Sequence, residues 1–95
     1  MFDTLRIHKS MRDGLHNRLP MFRAERGMSR RELADLVGVN PQTIGFLERG
    51  TYGPSLVLAL KISAVFEVPV EAIFGLEPFP SLSDQLARLN REIQG

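Results

Sequence analysis

The sequence predicts an all-α fold: five compact helices, with a further amphipathic helix at the C-terminal end. Three observations carry this. Apolar residues recur three and four apart along the chain. Serine or asparagine stands before several of these runs, and glycine or proline stands after them. At 95 residues, 43% hydrophobic and 24% charged, the chain has the length and composition of a single globular domain. A chain this short buries only about 60 to 65% of its unfolded surface, so one core has to serve and a partner can supply the missing burial.

Leu19, Phe22 and Met28 surround the charged stretch Arg23 to Arg26, which closes at Gly27. That is helix one. It begins near Arg18 to Pro20, since proline is tolerated in a first turn, whose amides lack intrahelical partners. Ser29 caps helix two, with Glu32 completing a capping box and Leu33, Ala34 and Val37 forming the apolar side; Gly38 stops it. Helix three takes Asn40 as N-cap and Pro41 as first residue, turns Ile44 and Leu47 inward, and stops at Gly50. Ser55 caps helix four, whose inward residues are Ala59, Ile62 and Phe66 and whose end is set by Pro69. A short fifth helix, Val70 to Phe74, closes the core. The Pro/Ser stretch from Pro78 to Ser83 separates this domain from the last segment.

The formal charge of +1 conceals an uneven distribution. Residues 1–31 hold eight Lys/Arg against three Asp/Glu, whereas residues 32–53 and 54–95 each sum to −2. The basic end is the N-terminal third, and charge distribution, not total charge, makes an electrostatic footprint. With no cysteine there is no disulfide framework or thiolate metal site, and no apolar leader or membrane span is visible, so a cytoplasmic location is expected. His8 and His16 lack further ligands, which argues against a metal site. No nucleophile is paired with a base and no glycine-rich loop could cradle phosphate. Neither an enzyme nor a cofactor is expected.

Ala34, Gly38, Ile44 and Leu47 stand at spacings of four, six and three. Two helices that cross steeply through a short turn need a small residue at the crossing, a turn residue that tolerates positive φ, and two apolar anchors one turn apart. The pattern is that of a helix-turn-helix. Residues 17–76 contain RAERGMSRRELA, GVNPQTI, LERG, PSL and an ALKI…F…V…IF pattern, in that order. In these motifs the chain resembles the Xre-like transcriptional regulators related to phage repressor and Cro. The resemblance implies a compact five-helix, repressor-like DNA-binding domain over 17–76, and the rest of the chain then divides into an N-terminal arm over 1–16 and a linker with amphipathic helix over 77–95.

The resemblance also implies site residues. The recognition helix, 41–48, would present Gln42, Thr43 and Phe46 to base edges in the major groove; a glutamine can bond adenine N6 and N7 together. Ser29, Arg30, Arg49, Thr51 and Tyr52 would hold the DNA backbone. Arg23 and Glu48 match a family pair that joins helix one to the end of the recognition helix. Pro41 and Gly45 depart from the polar residues relatives often carry, which leaves the operator sequence open. Gly45 admits two explanations: close approach of DNA or a neighbour, or room for Phe46 to bend. Phe46 is either covered by thymine methyls or another protein, or folded over helix one or the termini.

Leu82, Leu86, Leu89 and Ile93 form one apolar stripe on the last segment. An isolated helix of that length is marginal in water, so the stripe packs on its own domain or on a second copy. A homodimer using this segment, with helix five, Val70 to Phe74, as a further candidate surface, is the expectation, because two recognition helices about 34 Å apart read successive major grooves. The leading function is sequence-specific binding of double-stranded DNA by a transcriptional regulator, a repressor. The alternative is an antitoxin-like or other protein-interaction module using exposed Phe46 and the terminal segments. Arg6, Lys9 and Arg12 make residues 1–13 a basic arm or an unstructured leader.

Overall fold

The computed structural model describes residues 14–94. The expectations for residues 1–13, including His8 and a basic arm, lie outside the described residues. In chain order the elements are β1 (His16–Asn17), α1 (Leu19–Glu25), α2 (Arg30–Val37), α3 (Pro41–Arg49), α4 (Leu56–Phe66), α5 (Val70–Ile73), β2 (Phe74–Gly75) and α6 (Leu82–Gln94). The fold is the expected all-α one with five clustered helices and a sixth at the end.

Local chemistry sets most boundaries. The Ser29 hydroxyl accepts from the Glu32 amide at 3.0 Å and the Glu32 carboxylate accepts from the Ser29 amide at 3.1 Å. Asn40 accepts from the Gln42 amide at 2.8 Å, and Ser55 from the Leu58 amide at 3.1 Å. Each such bond satisfies an amide that the first turn leaves orphaned. Gly38 and Gly50 end α2 and α3 in the left-handed conformation, with φ of 76° and 73°. At Gly50 a second constraint acts, since a Cβ would stand 3.1 Å from the Leu15 carbonyl oxygen.

Leu19, Leu33, Ala34, Val37, Ile44, Leu47, Ala59, Ile62, Phe66, Ile73 and Phe74 form one buried cluster, and α2 packs against α3. Two details differ from the sequence reading. Helix α4 ends at Phe66, not at Pro69, because Glu67 adopts the left-handed conformation (φ 56°) and its amide bonds back to Ser63 and Ala64. The fifth helix stops at Ile73, and buried Phe74 turns extended to pair with Asn17, while Gly75 pairs with His16. His16, assigned to the arm, therefore belongs to the domain, and half-buried Leu15 packs on the core.

Every residue from Ser81 to Ile93 is exposed, so the stripe Leu82, Leu86, Leu89 and Ile93 does not pack on its own domain. The segment before it is nevertheless anchored. The Arg18 guanidinium lies 4.4 Å from the centre of the Phe79 ring, and that ring covers Gly75.

Candidate nucleic-acid interface

Helix α3 has one face in the core and one in solvent. Ile44 and Leu47 are sealed inward, which leaves Gln42 exposed, Thr43 half-buried and Phe46 42% exposed on the outer side. Among the described residues, Phe46 is held by its own helix and the loop that follows it. Its ring packs against Tyr52, with centroids 6.1 Å apart, and carries the Arg49 guanidinium 4.9 Å from its centre. Arg30, Pro41, Gln42, Gly45, Phe46 and Arg49 together line a groove of about 440 Å³. The structure thus brings Arg30, Gln42, Phe46 and Arg49 into one concavity, with Pro41 and Gly45 as its further walls.

Beneath this groove lies a charge cluster. Arg23 donates from Nε to Glu48 Oε2 at 2.6 Å and from Nη2 to Oε1 at 3.0 Å, and from Nη1 to the Met28 carbonyl at 2.9 Å. The expected pair is present in two-pronged form, which fixes α1 against the end of α3. Sequence reasoning missed the third member: Arg30 Nε donates to Glu48 Oε1 at 2.8 Å. No local signal could have revealed it, since the partners are far apart in sequence and joined only by the crossing of α2 and α3. Burial pushes the Glu48 carboxyl up, but hydrogen bonds and charge from Arg23 and Arg30 outweigh it and hold the group below its ordinary value. The carboxyl of exposed Glu32 is likewise lowered, by its bonds to Ser29.

Among the described residues of the basic N-terminal third, Arg18 and Arg26 are engaged within the protein. Arg18 donates twice to the Ala72 carbonyl, at 2.9 and 3.0 Å, and Arg26 donates to the carbonyls of Val65 and Phe66 at the end of α4. Such bonds satisfy carbonyls that helix C-termini leave unpaired. Asn17 also fastens the end of α3, donating to the carbonyls of Leu47 and Glu48 at 3.1 and 3.2 Å. The remaining expected residues lie around the groove's margin. Ser29 serves as a cap, Thr51 donates its hydroxyl to the Phe46 carbonyl at 3.1 Å, and Tyr52 is exposed beside Phe46.

The helix-turn-helix family model matches residues 21–73, which takes in α2, α3 and α4 whole. The chain belongs to the Xre-like helix-turn-helix family. That family is one of DNA-binding transcriptional regulators, not of enzymes. This Xre-like chain is 50% identical over 60 residues to an uncharacterized HTH-type transcriptional regulator of Archaeoglobus fulgidus, covering 63% of the chain and 86% of the relative. It is 43% identical over 63 residues to the uncharacterized HTH-type regulator YgzD of Bacillus subtilis, covering 66% and 96%. Among solved structures, its fold resembles that of a protein from Bacteroides fragilis described as DNA-binding, with TM-score 0.58, 24% identity and coverage of 64% and 98%. A transcriptional regulator from Listeria innocua has TM-score 0.53 and 15% identity, with 84% of this chain and 80% of that one covered. These two similarities concern fold alone. No described helix of this Xre-like chain is long and apolar enough to cross a membrane.

Proposed function

We propose that this Xre-like protein recognises a specific duplex DNA sequence as a homodimer, with α3 in the major groove, and represses transcription by occluding a promoter. The observation that carries the reading is the outer face of α3, where Gln42 and Phe46 share one groove with the cations Arg30 and Arg49. Gln42, Thr43 and Phe46 are the base readers in this account. Gln42 suits an adenine edge and Phe46 a thymine methyl. Arg30, Arg49 and Tyr52 hold the backbone, and the Ser29 hydroxyl keeps its own proton free to donate to a phosphate. Thr51 reaches a phosphate only by giving up its bond to Phe46.

The homodimer reading rests on α6, where Leu82, Leu86, Leu89 and Ile93 are between 50% and 73% exposed. Heptad-like spacing of four, three and four suits a second copy of the same helix. Binding selection from a random duplex pool, repeated across salt concentrations, tests the proposal. Enrichment of an inverted repeat with affinity falling steeply in salt is the expected result. Gln42→Ala should then lose roughly 1 to 3 kcal/mol of preference at one base position, while affinity for scrambled duplex holds. No enrichment by a folded protein would favour the antitoxin-like reading, in which Phe46 and the terminal segments meet another protein.

A further inference from the structure

Gly45 lies beneath two guanidinium groups. A Cβ at this position would stand 3.6 Å from Arg49 Nη1 and 3.9 Å from Arg30 Nη1. One cation comes from the first residue of α2 and the other from the last residue of α3. Both lean over the same point on the outer face of the recognition helix. Like charges brought together repel unless something of opposite sign lies between or beside them. Glu48 offsets this only in part, because its single carboxylate is shared between Arg30 and the two-pronged Arg23. Among the described residues no carboxylate lies within ion-pair distance of Arg49, which is held instead against the ring of Phe46. Three arginines and one carboxylate leave a local excess of positive charge at the groove.

We infer that Arg30 and Arg49 close together on a single DNA phosphate seated over Gly45, and that Glu48 is the positioning residue that turns Arg30 toward it. The inference rests on the DNA-binding reading above and adds the ligand of this part of the groove. Engagement of Nε by Glu48 fixes the plane of the Arg30 guanidinium and leaves its terminal nitrogens to the groove, where Nη1 approaches Gly45. Both terminal nitrogens lie within 4 Å of the Cβ position of Gly45, so the two groups sit close enough together to give one phosphate outside them a charge-assisted bond to each of its nonbridging oxygens. A guanine edge is a poorer fit, since it takes one guanidinium in bidentate fashion and would leave the other unpaired. Glycine at position 45, buried beneath them, lets both guanidinium groups lie close over the helix; a long side chain would displace them. A phosphate gripped from both helices would also fix the register of α3 along the groove.

The test uses the full chain and a duplex recovered from the random pool, carrying uncharged methylphosphonate linkages one at a time. Neutralising one linkage per half-site should weaken the unaltered protein roughly tenfold or more, the scale of a lost charge-assisted bond. The same neutralisation should cost Arg30→Gln and Arg49→Gln far less, and the double variant should be much less impaired than the product of the two single losses. Its salt slope should fall by about one unit per half-site instead of two. Arg30→Lys keeps the charge without the fork, and it should lose the dependence on that linkage as Arg30→Gln does. Glu48→Gln, checked for folding by its melting curve, removes a negative charge and on charge alone would tighten binding; weaker binding confined to that linkage is expected instead. Should Glu48→Gln not fold, the Arg30→Lys result decides the positioning role. Multiplicative losses traced to two different linkages would overturn the shared phosphate while DNA binding stands. A changed base preference in Arg30→Gln with every linkage unaffected would make Arg30 a base reader and overturn it likewise. If the unaltered protein binds no duplex at all, the DNA reading falls and this inference with it.

Discussion

A carboxylate sealed between two arginines titrates as part of the fold, and Glu48, with its side chain only 3% exposed, is in that position. Its folded pKa lies below the ordinary value of a glutamate, so its contribution to stability is present above that value and is lost as pH falls through the lowered one. Melting temperatures measured from pH 7 down to pH 3 should drop steeply in the acid range, and Glu48→Gln should show a shallower drop. Parallel curves would mean that Glu48 is not coupled to folding. Glu48→Ala should cost about 3 kcal/mol or more, because Arg23 is left largely buried without its partner. Gly45 makes the opposite case. A methyl there meets Arg49 and Arg30 only at ordinary contact distance, so Gly45→Ala should stabilise the chain by up to about 1 kcal/mol through helix propensity, readable by denaturant titration. Residues whose role is local were legible in the sequence: Ser29 with Glu32 three positions on, Asn40 before Pro41, and Ala34 and Ile44 as buried positions. Arg30 with Glu48 and Arg26 with the end of α4 were not, because a long side chain finds its partner through tertiary geometry that no local pattern encodes.

At the scale of elements, the boundaries that sequence reading missed are those where a tertiary contact overrode a local stop signal. Pro69 does stand after α4, but the helix closes earlier because the amides of Glu67 and Val68 bond back to Ala64 and Ser63 and half-buried Val68 packs on the core. Glu67 is the only described residue other than glycine with positive φ, a conformation that costs a residue with a Cβ roughly 1–2 kcal/mol. Its ion pair with Arg26, at 3.8 Å between exposed groups, returns little. Glu67→Gly should therefore raise stability by roughly 1 kcal/mol or slightly less, given the larger backbone entropy that glycine loses on folding. A destabilised variant would show that the side chain contributes more than its exposure suggests. In the same way Phe74 leaves α5 because its buried ring and its pairing with Asn17 favour extended backbone. The two-residue strands were invisible in the sequence because neither has a periodicity long enough to register.

At the scale of the whole molecule, two apolar surfaces stand out as exposed among the described residues. One is the stripe of α6; the other is the outer side of α4, where Leu56, Val57 and Leu60 are exposed although Ala59, Ile62 and Phe66 line the core. The sequence reading recognised the first, since apolar and polar residues separate cleanly there, and missed the second, since α4 is apolar nearly all round. The α6 stripe is the better dimer seam because it is continuous over three turns and is carried on a segment anchored by Phe79 on Arg18 and Gly75. Leu86→Glu with Leu89→Glu tests this without touching the core, as both side chains are exposed in the isolated chain. Sedimentation should report a monomer, with melting unchanged apart from the loss of its concentration dependence. DNA affinity should fall toward that of a single half-site, because the second recognition helix no longer binds as part of the same molecule. A dimer that survives both substitutions would move the seam to α4, where Leu56→Glu and Leu60→Glu would then have to dissociate it. The spacing of the inverted repeat would shift with it, because the seam determines how far apart the two copies of α3 are held.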